Sequence, residues 1–282
     1  MKKGQGKLFG LLLCGGVSSR MGTRKEEISW FGKTERQRLS SLLEQVTDRV
    51  FISQKDNTEQ LENIVSDGEL GFGPLAGMHA AHARFPEASW LVLSCDLPLM
   101  DLAHLQQLID GWQSLNQDRA VAFESRFDSK SEPLAAIYSA EDLARIPGFF
   151  ADENHHHCAR CFFKDLPTSQ LLTPTLPDAV DNCNTPEDKA DIELRLQQGR
   201  GAIQIKLEHF AQLEAAVGET NQDWTSFSRT TNGVWEELSM RYKLKKLDKK
   251  VLRPVVNDTL ATWTTTVKDG DTVSFLPPFA GG

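Results

Sequence analysis

Apolar and polar positions over the first two thirds of the chain alternate between short apolar runs and stretches with helical spacing. Leu8–Leu13 is an apolar run that ends at a pair of glycines, which is the length of one buried strand. Similar short runs recur at 50–53, 64–67, 90–95, 120–123 and 134–138. Between them, apolar residues recur at helical spacing, as in 35–46. Strands that alternate with helices predict an α/β domain whose mainly parallel sheet is covered on both faces.

The pattern changes at residue 203, where apolar and polar residues alternate strictly over 203–207. A helix is predicted at 233–242, and short strands are predicted around 255–256 and 273–275. This ββαββ-like order predicts a small α+β domain of the β-grasp (ubiquitin-like) type. Gly199 and Gly201 indicate a linker. We therefore expect a first domain over 1–198, a linker over 199–202 and a second domain over 203–282.

Composition and charge narrow the class of protein. The 282 residues carry a formal net charge of −8, which argues against a nucleic-acid partner. Residues 201–282 hold 10 basic and 10 acidic side chains, leaving 21 against 29 for residues 1–200, so the acidic excess lies in the first part. Five cysteines, an odd number, do not predict a disulfide framework. The apolar run 8–14 after a basic start is too short for a signal peptide or a membrane span, so we expect a cytoplasmic protein without a membrane partner.

The turn after the first predicted strand combines glycines with cationic residues. Gly15 and Gly16 let backbone N–H groups turn inward, and Arg20 and Lys25 supply positive charge. Such donors suit a triphosphate and the negative charge that develops in phosphoryl or nucleotidyl transfer. The spacing fits neither the P-loop nor the dinucleotide-binding fingerprint.

A carboxylate follows the apolar strand 90–95. Asp96 stands at the end of that strand and Pro98 halts it, so Asp96 is expected where ligands gather in open α/β sheets. Mg²⁺ takes one or two carboxylates together with phosphate oxygens, which makes Asp96 the candidate metal ligand. A capping role for Asp96 at the strand end is the alternative.

The string Gly-Gly-x-Ser-x-Arg-Met-Gly, followed closely by Lys, resembles the opening signature of the nucleotidyltransferases that include molybdenum cofactor guanylyltransferase. The strings Gly-Pro-Leu-Ala-Gly at 73–77 and Asn-x-Asn-Thr-Pro-Glu-Asp at 182–188 resemble the same family. The resemblance implies a Rossmann-like three-layer fold and transfer of GMP from GTP to molybdenum-molybdopterin with Mg²⁺. It also implies roles in nucleotide binding and catalysis for Leu13, Cys14, Gly15, Gly16, Ser18, Arg20, Lys25, Asp67 and Asp96.

Two departures from the family pattern concern charge. The family commonly has an acid before the lysine, whereas Arg24 precedes Lys25 and two glutamates follow it, so Lys33 is a second candidate for the phosphate role. Glu132 stands before Pro133, where the family has a cation that faces the pterin substrate. The resemblance therefore implies no acceptor contact at Glu132.

Histidine and cysteine cluster at 155–161, with three consecutive histidines, Cys158 and Cys161. A zinc site needs four ligands, often with a second Cys-x-x-Cys pair, which the sequence lacks. We expect a plain helix face, with contact to the acceptor phosphate as the alternative.

The last fourteen residues, 269–282, resemble the end of the molybdopterin synthase sulfur-carrier subunit. Two prolines stop the last strand and release a Gly-Gly tail that fits a narrow channel. The resemblance implies that an adenylating enzyme activates the carboxylate of Gly282, which then carries sulfur as a thiocarboxylate for the large synthase subunit.

The sequence leaves three other functions open. One is a related transferase that uses CTP or another nucleotide. Another is an inactive transferase domain that serves as a scaffold for the carrier. The third is a carrier for a thiamine-type or protein-tagging pathway.

Overall fold

The computed structural model describes residues 7–15, 24–55, 61–66, 73–117, 119–151, 158–244 and 247–277. The chain divides into two compact units, Met1–Asn182 and Cys183–Gly282. Within the described ranges, no helix combines the length and the apolar character that a membrane crossing requires.

The first unit alternates strands and helices. Its strands are β1 (Leu8–Leu13), β2 (Ser29–Trp30), β3 (Lys33–Thr34), β4 (Arg49–Gln54), β5 (Ile64–Ser66), β6 (Ser89–Ser94), β7 (Ala120–Glu124), β8 (Ser131–Tyr138) and β9 (Ser169–Leu172). Its α-helices are α1 (Glu35–Leu43), α2 (Pro74–Arg84), α3 (Leu102–Ser114), α4 (Ala140–Leu143), α5 (Ile146–Ala151) and α6 (Ala159–Asp165).

Among the described residues, seven of these strands form one sheet in the order β5-β4-β1-β6-β8-β7-β9. β1 lies at its centre and pairs in parallel with both β4 and β6. β8 runs antiparallel to its neighbours β6 and β7. The prediction of a mainly parallel sheet is confirmed. The edge strand β9 was not predicted, because its mostly exposed residues form no apolar run.

Apolar side chains cover both faces of this sheet and make three layers. Leu8 and Leu12 of β1 belong to the core shared with α1 and α3. Phe9 and Leu11 point to the opposite face, where α2 and the helices α4 to α6 pack. Since successive side chains of a strand alternate between faces, a continuous apolar run is the pattern that a strand covered on both sides requires.

The second unit is an α+β domain. Its elements are α7 (Pro186–Gln198), β10 (Ile203–Glu208), α8 (Gln212–Val217), β11 (Asn221–Ser226), α9 (Thr231–Arg241), β12 (Arg253–Val256), β13 (Thr259–Leu260) and β14 (Thr272–Leu276). Its described strands form a sheet in the order β11-β10-β14-β12-β13, with β10 and β14 parallel at the centre. The predicted β-grasp fold is confirmed. β11 was not predicted, because Trp224 is its single apolar residue and the other five are polar.

Helix α7, which the sequence assigns to the first domain, packs against α9 of the second unit. Asp191 of α7 is 2% exposed and accepts hydrogen bonds from the backbone N–H groups of Arg229 and Thr230 at 2.6 and 2.8 Å. Arg195, also buried, donates from Nε to Asp191 at 2.7 Å. The prediction that residues 199–202 separate the two functional domains stays a prediction.

Candidate functional site

The ends of β1 and β6 bring the two predicted phosphate and metal segments side by side. Leu13 pairs with Ser94 in parallel register, and the sulfur atoms of the next residues, Cys14 and Cys95, lie 2.9 Å apart. The N–H of Cys14 donates to the carbonyl of β4 residue Ser53 at 2.9 Å. Parallel register is what places these residues together, because the carboxyl ends of neighbouring parallel strands meet at one edge.

Gly15 follows β1 at this edge. Its φ is +154°, a conformation that L side chains rarely adopt. No heavy atom of the described residues lies within 4 Å of the position that a Cβ would occupy there, leaving out its chain neighbours. Among the described residues, nothing therefore blocks the Cβ side of Gly15.

Asp96 receives hydrogen bonds from three side chains. Lys25 Nζ lies 2.9 Å from Asp96 Oδ2, and the two side chains are 23% and 18% exposed. Ser94 Oγ donates to Asp96 Oδ1. In the amide orientation that satisfies its neighbours, Asn182 donates to both carboxylate oxygens at 3.1 Å. The carboxylate is thus oriented by three side chains and partly open to solvent.

Lys25, and not Lys33, makes the contact with Asp96. Lys25 begins the 3₁₀ turn Lys25–Glu27, which leads into the two-stranded ribbon of β2 and β3. Lys33 is exposed in that ribbon, opposite Trp30. The described geometry therefore favours Lys25 for the phosphate role, although arginine and glutamate flank it.

A buried ion pair on α1 fixes the segment after Asp96, and sequence reasoning missed it. Glu35 is 1% exposed and accepts from Nε and one terminal nitrogen of Arg38 at 2.8 and 2.7 Å. The guanidinium of Arg38 also donates to the carbonyls of Leu97 at 3.0 Å and Met100 at 2.6 Å. Burial raises the pKa of Glu35 despite its arginine partner. The three-residue spacing of Glu35 and Arg38 on one helix was the only signal in the sequence.

Acidic and basic residues line the wall next to Asp96. Arg160 of α6 donates to Asp128 at 3.0 Å and to Glu132 of β8 at 3.3 Å. Burial raises the pKa of Glu132 to about 7; Arg160 lowers it, and the charge of Asp96 adds to the increase. Glu132 therefore interacts electrostatically with Asp96.

Arg126 braces the chain in front of Asn182. Its guanidinium contacts Asp181 through Nε at 2.9 Å and through a terminal nitrogen at 2.7 Å, and both side chains are mostly buried. Such two-point contacts fix orientation as well as distance. The amide of Asn182 is therefore presented to Asp96 from a braced backbone.

Asp96 supplies one carboxylate of the kind that binds magnesium ions in proteins. The described residues contain no cluster of three or more histidine, cysteine or acidic side chains that would enclose a metal. Mg²⁺ is commonly bound by one or two carboxylates together with substrate phosphates and waters, which Asp96 satisfies. The chemistry of Asp96 therefore agrees with the predicted role, which stays a prediction.

Residues 10–169 match the family model described as the MobA-like NTP transferase domain, which covers more than half of the chain. The chain belongs to the MobA-like NTP transferase family. The predicted resemblance is confirmed, and residues 208–282 match the model of the ThiS family. The chain therefore joins a MobA-like domain to a ThiS-family sulfur carrier.

Individual relatives agree with the family assignment of the MobA-like domain. The molybdenum cofactor biosynthesis bifunctional protein of Synechocystis sp. is 29% identical over 194 residues, covering 67% of this chain but only 54% of that protein. The molybdenum cofactor guanylyltransferase of Pseudomonas fluorescens is 32% identical over 187 residues, covering 63% of this chain and 89% of that protein. The structure of molybdopterin-guanine dinucleotide biosynthesis protein A from Archaeoglobus fulgidus matches with a TM-score of 0.52 at 21% identity, over 64% of this chain and 94% of that one.

Several predicted site residues lie outside the described residues. In the MobA-like domain these are Gly16, Ser18, Arg20 and Asp67, together with the histidines 155–157. In the carrier domain the same holds for Gly282. Their roles stay predictions.

The strand that leads to the carrier tail is firmly anchored. Phe275 of β14 is 1% exposed and stacks on Trp263, with ring centroids 5.7 Å apart. It also meets Trp235 of α9 edge-on at 5.1 Å. Aromatic packing therefore fixes the chain up to the last residues before the predicted tail.

Proposed function

We propose that the MobA-like domain transfers GMP from GTP to molybdenum-molybdopterin and releases pyrophosphate. The observation that carries this proposal is the contact of Lys25 with Asp96 after β6, whose neighbour β1 leads to Gly15. Together they offer a cation, a carboxylate and N–H donors at one edge of the sheet. That combination suits a nucleoside triphosphate. The names of the relatives support guanine as the base and molybdopterin as the acceptor.

In this reaction a phosphate oxygen of the pterin attacks the α-phosphorus of GTP in line with the departing pyrophosphate. The backbone of 13–16 and the side chains of Ser18, Arg20 and Lys25 hold the triphosphate, and Asp67 contacts the nucleotide. Asp96 would hold Mg²⁺, which offsets negative charge on the reacting oxygens when it is bound. The protein supplies mainly position and electrostatic stabilisation.

Neighbouring residues keep Asp96 in place. Asn182 and Ser94 orient its carboxylate, and Arg38 ties down the carbonyls that follow it. These groups orient the carboxylate before the reaction begins. A site that is already oriented loses less free energy to reorganisation during the reaction.

We further propose that the carrier domain bears sulfur at the carboxylate of Gly282. A partner enzyme adenylates this carboxylate and converts it to a thiocarboxylate, and the large subunit of molybdopterin synthase takes the sulfur. The ThiS-family match and the anchored strand β14 support this role.

The transferase proposal is tested by incubating the full chain with molybdenum cofactor, GTP and Mg²⁺. We expect pyrophosphate and a guanine dinucleotide product in equal amounts, and a preference for GTP over CTP and ATP. Asp96→Asn should reduce turnover by about 10²- to 10³-fold, whereas the matched variant Asp110→Asn, on an exposed position of α3, should not. Full activity of Asp96→Asn would refute the proposed role, and a preference for CTP would refute guanine as the base.

The carrier proposal is tested separately by mass spectrometry of the C-terminal peptide. After incubation with the activating enzyme of the molybdopterin pathway, ATP and a sulfur donor, an oxygen of the Gly282 carboxylate should be replaced by sulfur. Modification only by a thiamine-type or protein-tagging activating enzyme would refute it.

A further inference from the structure

Cys158 and Cys161 form a pair of thiols in contact, next to the wall that carries Glu132. Their sulfur atoms are 2.6 Å apart, and both are reduced. Cys158 is the N-cap residue of α6, where the backbone N–H of Cys161 donates to its sulfur at 3.1 Å. Cys158 is exposed and Cys161 is half-buried. The pair is therefore a dithiol within reach of small molecules in solution.

We propose that Cys158 and Cys161 form a redox-active dithiol, which small-molecule disulfides such as glutathione disulfide oxidise to an intramolecular disulfide. The site is separate from the chemistry of nucleotide transfer. Its substrate class is a low-molecular-weight disulfide, and its product is one protein disulfide with two released thiols.

The geometry assigns the two sulfurs different roles. Cys158 is the more accessible sulfur, and the backbone N–H of Cys161 donates to it, which fixes its position next to the sulfur of Cys161. The pKa of Cys161 is raised, chiefly because its sulfur is hydrogen-bonded to that of Cys158. Access therefore makes Cys158 the attacking sulfur and Cys161 the sulfur that completes the disulfide.

The exchange balances in two steps. The thiolate of Cys158 attacks one sulfur of the small disulfide, forms a mixed disulfide and releases one small thiolate. Cys161 then loses its proton to solvent, attacks the sulfur of Cys158 and releases the second small thiolate. Two electrons pass to the small disulfide, and two protons leave the protein thiols.

A second pair of cysteines serves as an internal control. Cys14 and Cys95 have sulfur atoms 2.9 Å apart, but they are only 4% and 5% exposed. The hydrogen bond with Cys14 and burial raise the pKa of Cys95, so little thiolate is present. Contact between sulfurs is thus common to both pairs, and only the pair at Cys158 combines contact with access.

The test exposes the folded, fully reduced chain to glutathione disulfide, blocks the remaining thiols in acid and maps the peptides by mass spectrometry. We expect the Cys158–Cys161 disulfide to form at least about tenfold faster than a Cys14–Cys95 disulfide. In Cys161→Ser, a glutathione adduct should accumulate on Cys158. In Cys158→Ser, adduct formation on Cys161 should be at least about tenfold slower.

A measurement without substitution or oxidation complements these variants. A monosubstituted arsenical such as phenylarsine oxide bridges two neighbouring thiols with loss of water, and native mass spectrometry should show one bound molecule, mapped to Cys158 and Cys161. Equal oxidation rates for the two pairs, no adduct on Cys158 in Cys161→Ser, or arsenical bound elsewhere would each overturn the proposal. None of these outcomes depends on guanylyl transfer.

Discussion

Removal of the Asp191 carboxylate should destabilise the second unit more than any surface change can. Oδ1 of Asp191 accepts from the N–H of Arg229, the N–H of Thr230 and the hydroxyl of Thr230, at 2.6, 2.8 and 3.0 Å. Its other oxygen accepts from Arg195, which is 4% exposed. In Asp191→Ala, three buried donors lose this acceptor, and the buried cation of Arg195 loses its carboxylate partner while it keeps the hydroxyl of Ser228 at 3.2 Å. Stranding a buried charge costs about 3–5 kcal/mol, and we expect a loss in that range.

Native-state hydrogen exchange of the full chain measures the free energy of opening of the second unit when it is followed on peptides of β10 and β14. Peptides of the first unit report its opening separately. The matched control is Asp223→Ala on β11, whose side chain is exposed and should change the free energy by less than about 0.5 kcal/mol. A loss below about 1 kcal/mol in Asp191→Ala would show that α7 is not part of the folded carrier unit.

Three further variants test the first unit. Lys25→Met should lower kcat/KM for GTP by about 10²-fold, measured as pyrophosphate release, because the cation proposed to bind the phosphates is lost. Arg38→Met should cost about 3 kcal/mol in urea unfolding, because Glu35 remains buried without its partner. The raised pKa of Glu132, about 7, means that its contribution to stability is complete below its unfolded value of 4.5 and is lost as the pH rises through 7. In urea titrations, the free energy of unfolding of the parent protein should therefore fall by about 2 kcal/mol relative to that of Glu132→Gln as the pH rises from 5 to 8.

Each of these variants has a contrary outcome. If kcat/KM is unchanged in Lys25→Met but falls in Lys33→Met, the lysine that binds the phosphates is Lys33 of the β2–β3 ribbon and not Lys25. Wild-type stability of Arg38→Met would mean that Glu35 is protonated and needs no cation. A pH profile of Glu132→Gln that parallels the parent, with the exposed Glu62→Gln as control, would show that Glu132 is ionised throughout.

The sequence predicted the parts of the fold that leave a local pattern. β1 and β6 are covered on both faces, so their apolar runs are continuous, and Asp96 follows directly. β9 and β11 were missed because their residues are mostly exposed or half-buried at sheet edges and have no such run. Local pattern indicates a strand only where the strand buries enough apolar area.

The missing part of the candidate site consists of contacts between distant segments. Asn182 reaches Asp96 across 86 positions of sequence, and nothing at either residue specifies the other. Likewise, Thr185 caps the start of α7, but nothing in that motif specifies which unit the helix packs against. Capping is decided within one turn of the chain, whereas packing depends on the partner face.

The ion pair between Lys25 and Asp96 bears on how the proposed site handles charge. A triphosphate and Mg²⁺ bring opposite charges to this edge, and each finds its complement already present, the cation of Lys25 for the phosphates and the carboxylate of Asp96 for the metal. Without ligands, the two side chains neutralise each other at 2.9 Å, so neither is left as an isolated charge in a partly buried place. Nucleotide binding then exchanges one ion pair for two.

Because Asn182 and Ser94 hold Asp96 independently of Lys25, the carboxylate keeps its orientation through that exchange. Asn182→Ala should therefore raise the Mg²⁺ concentration needed for half-maximal activity more than it raises KM for GTP, and the reverse pattern would place Asn182 on the nucleotide instead.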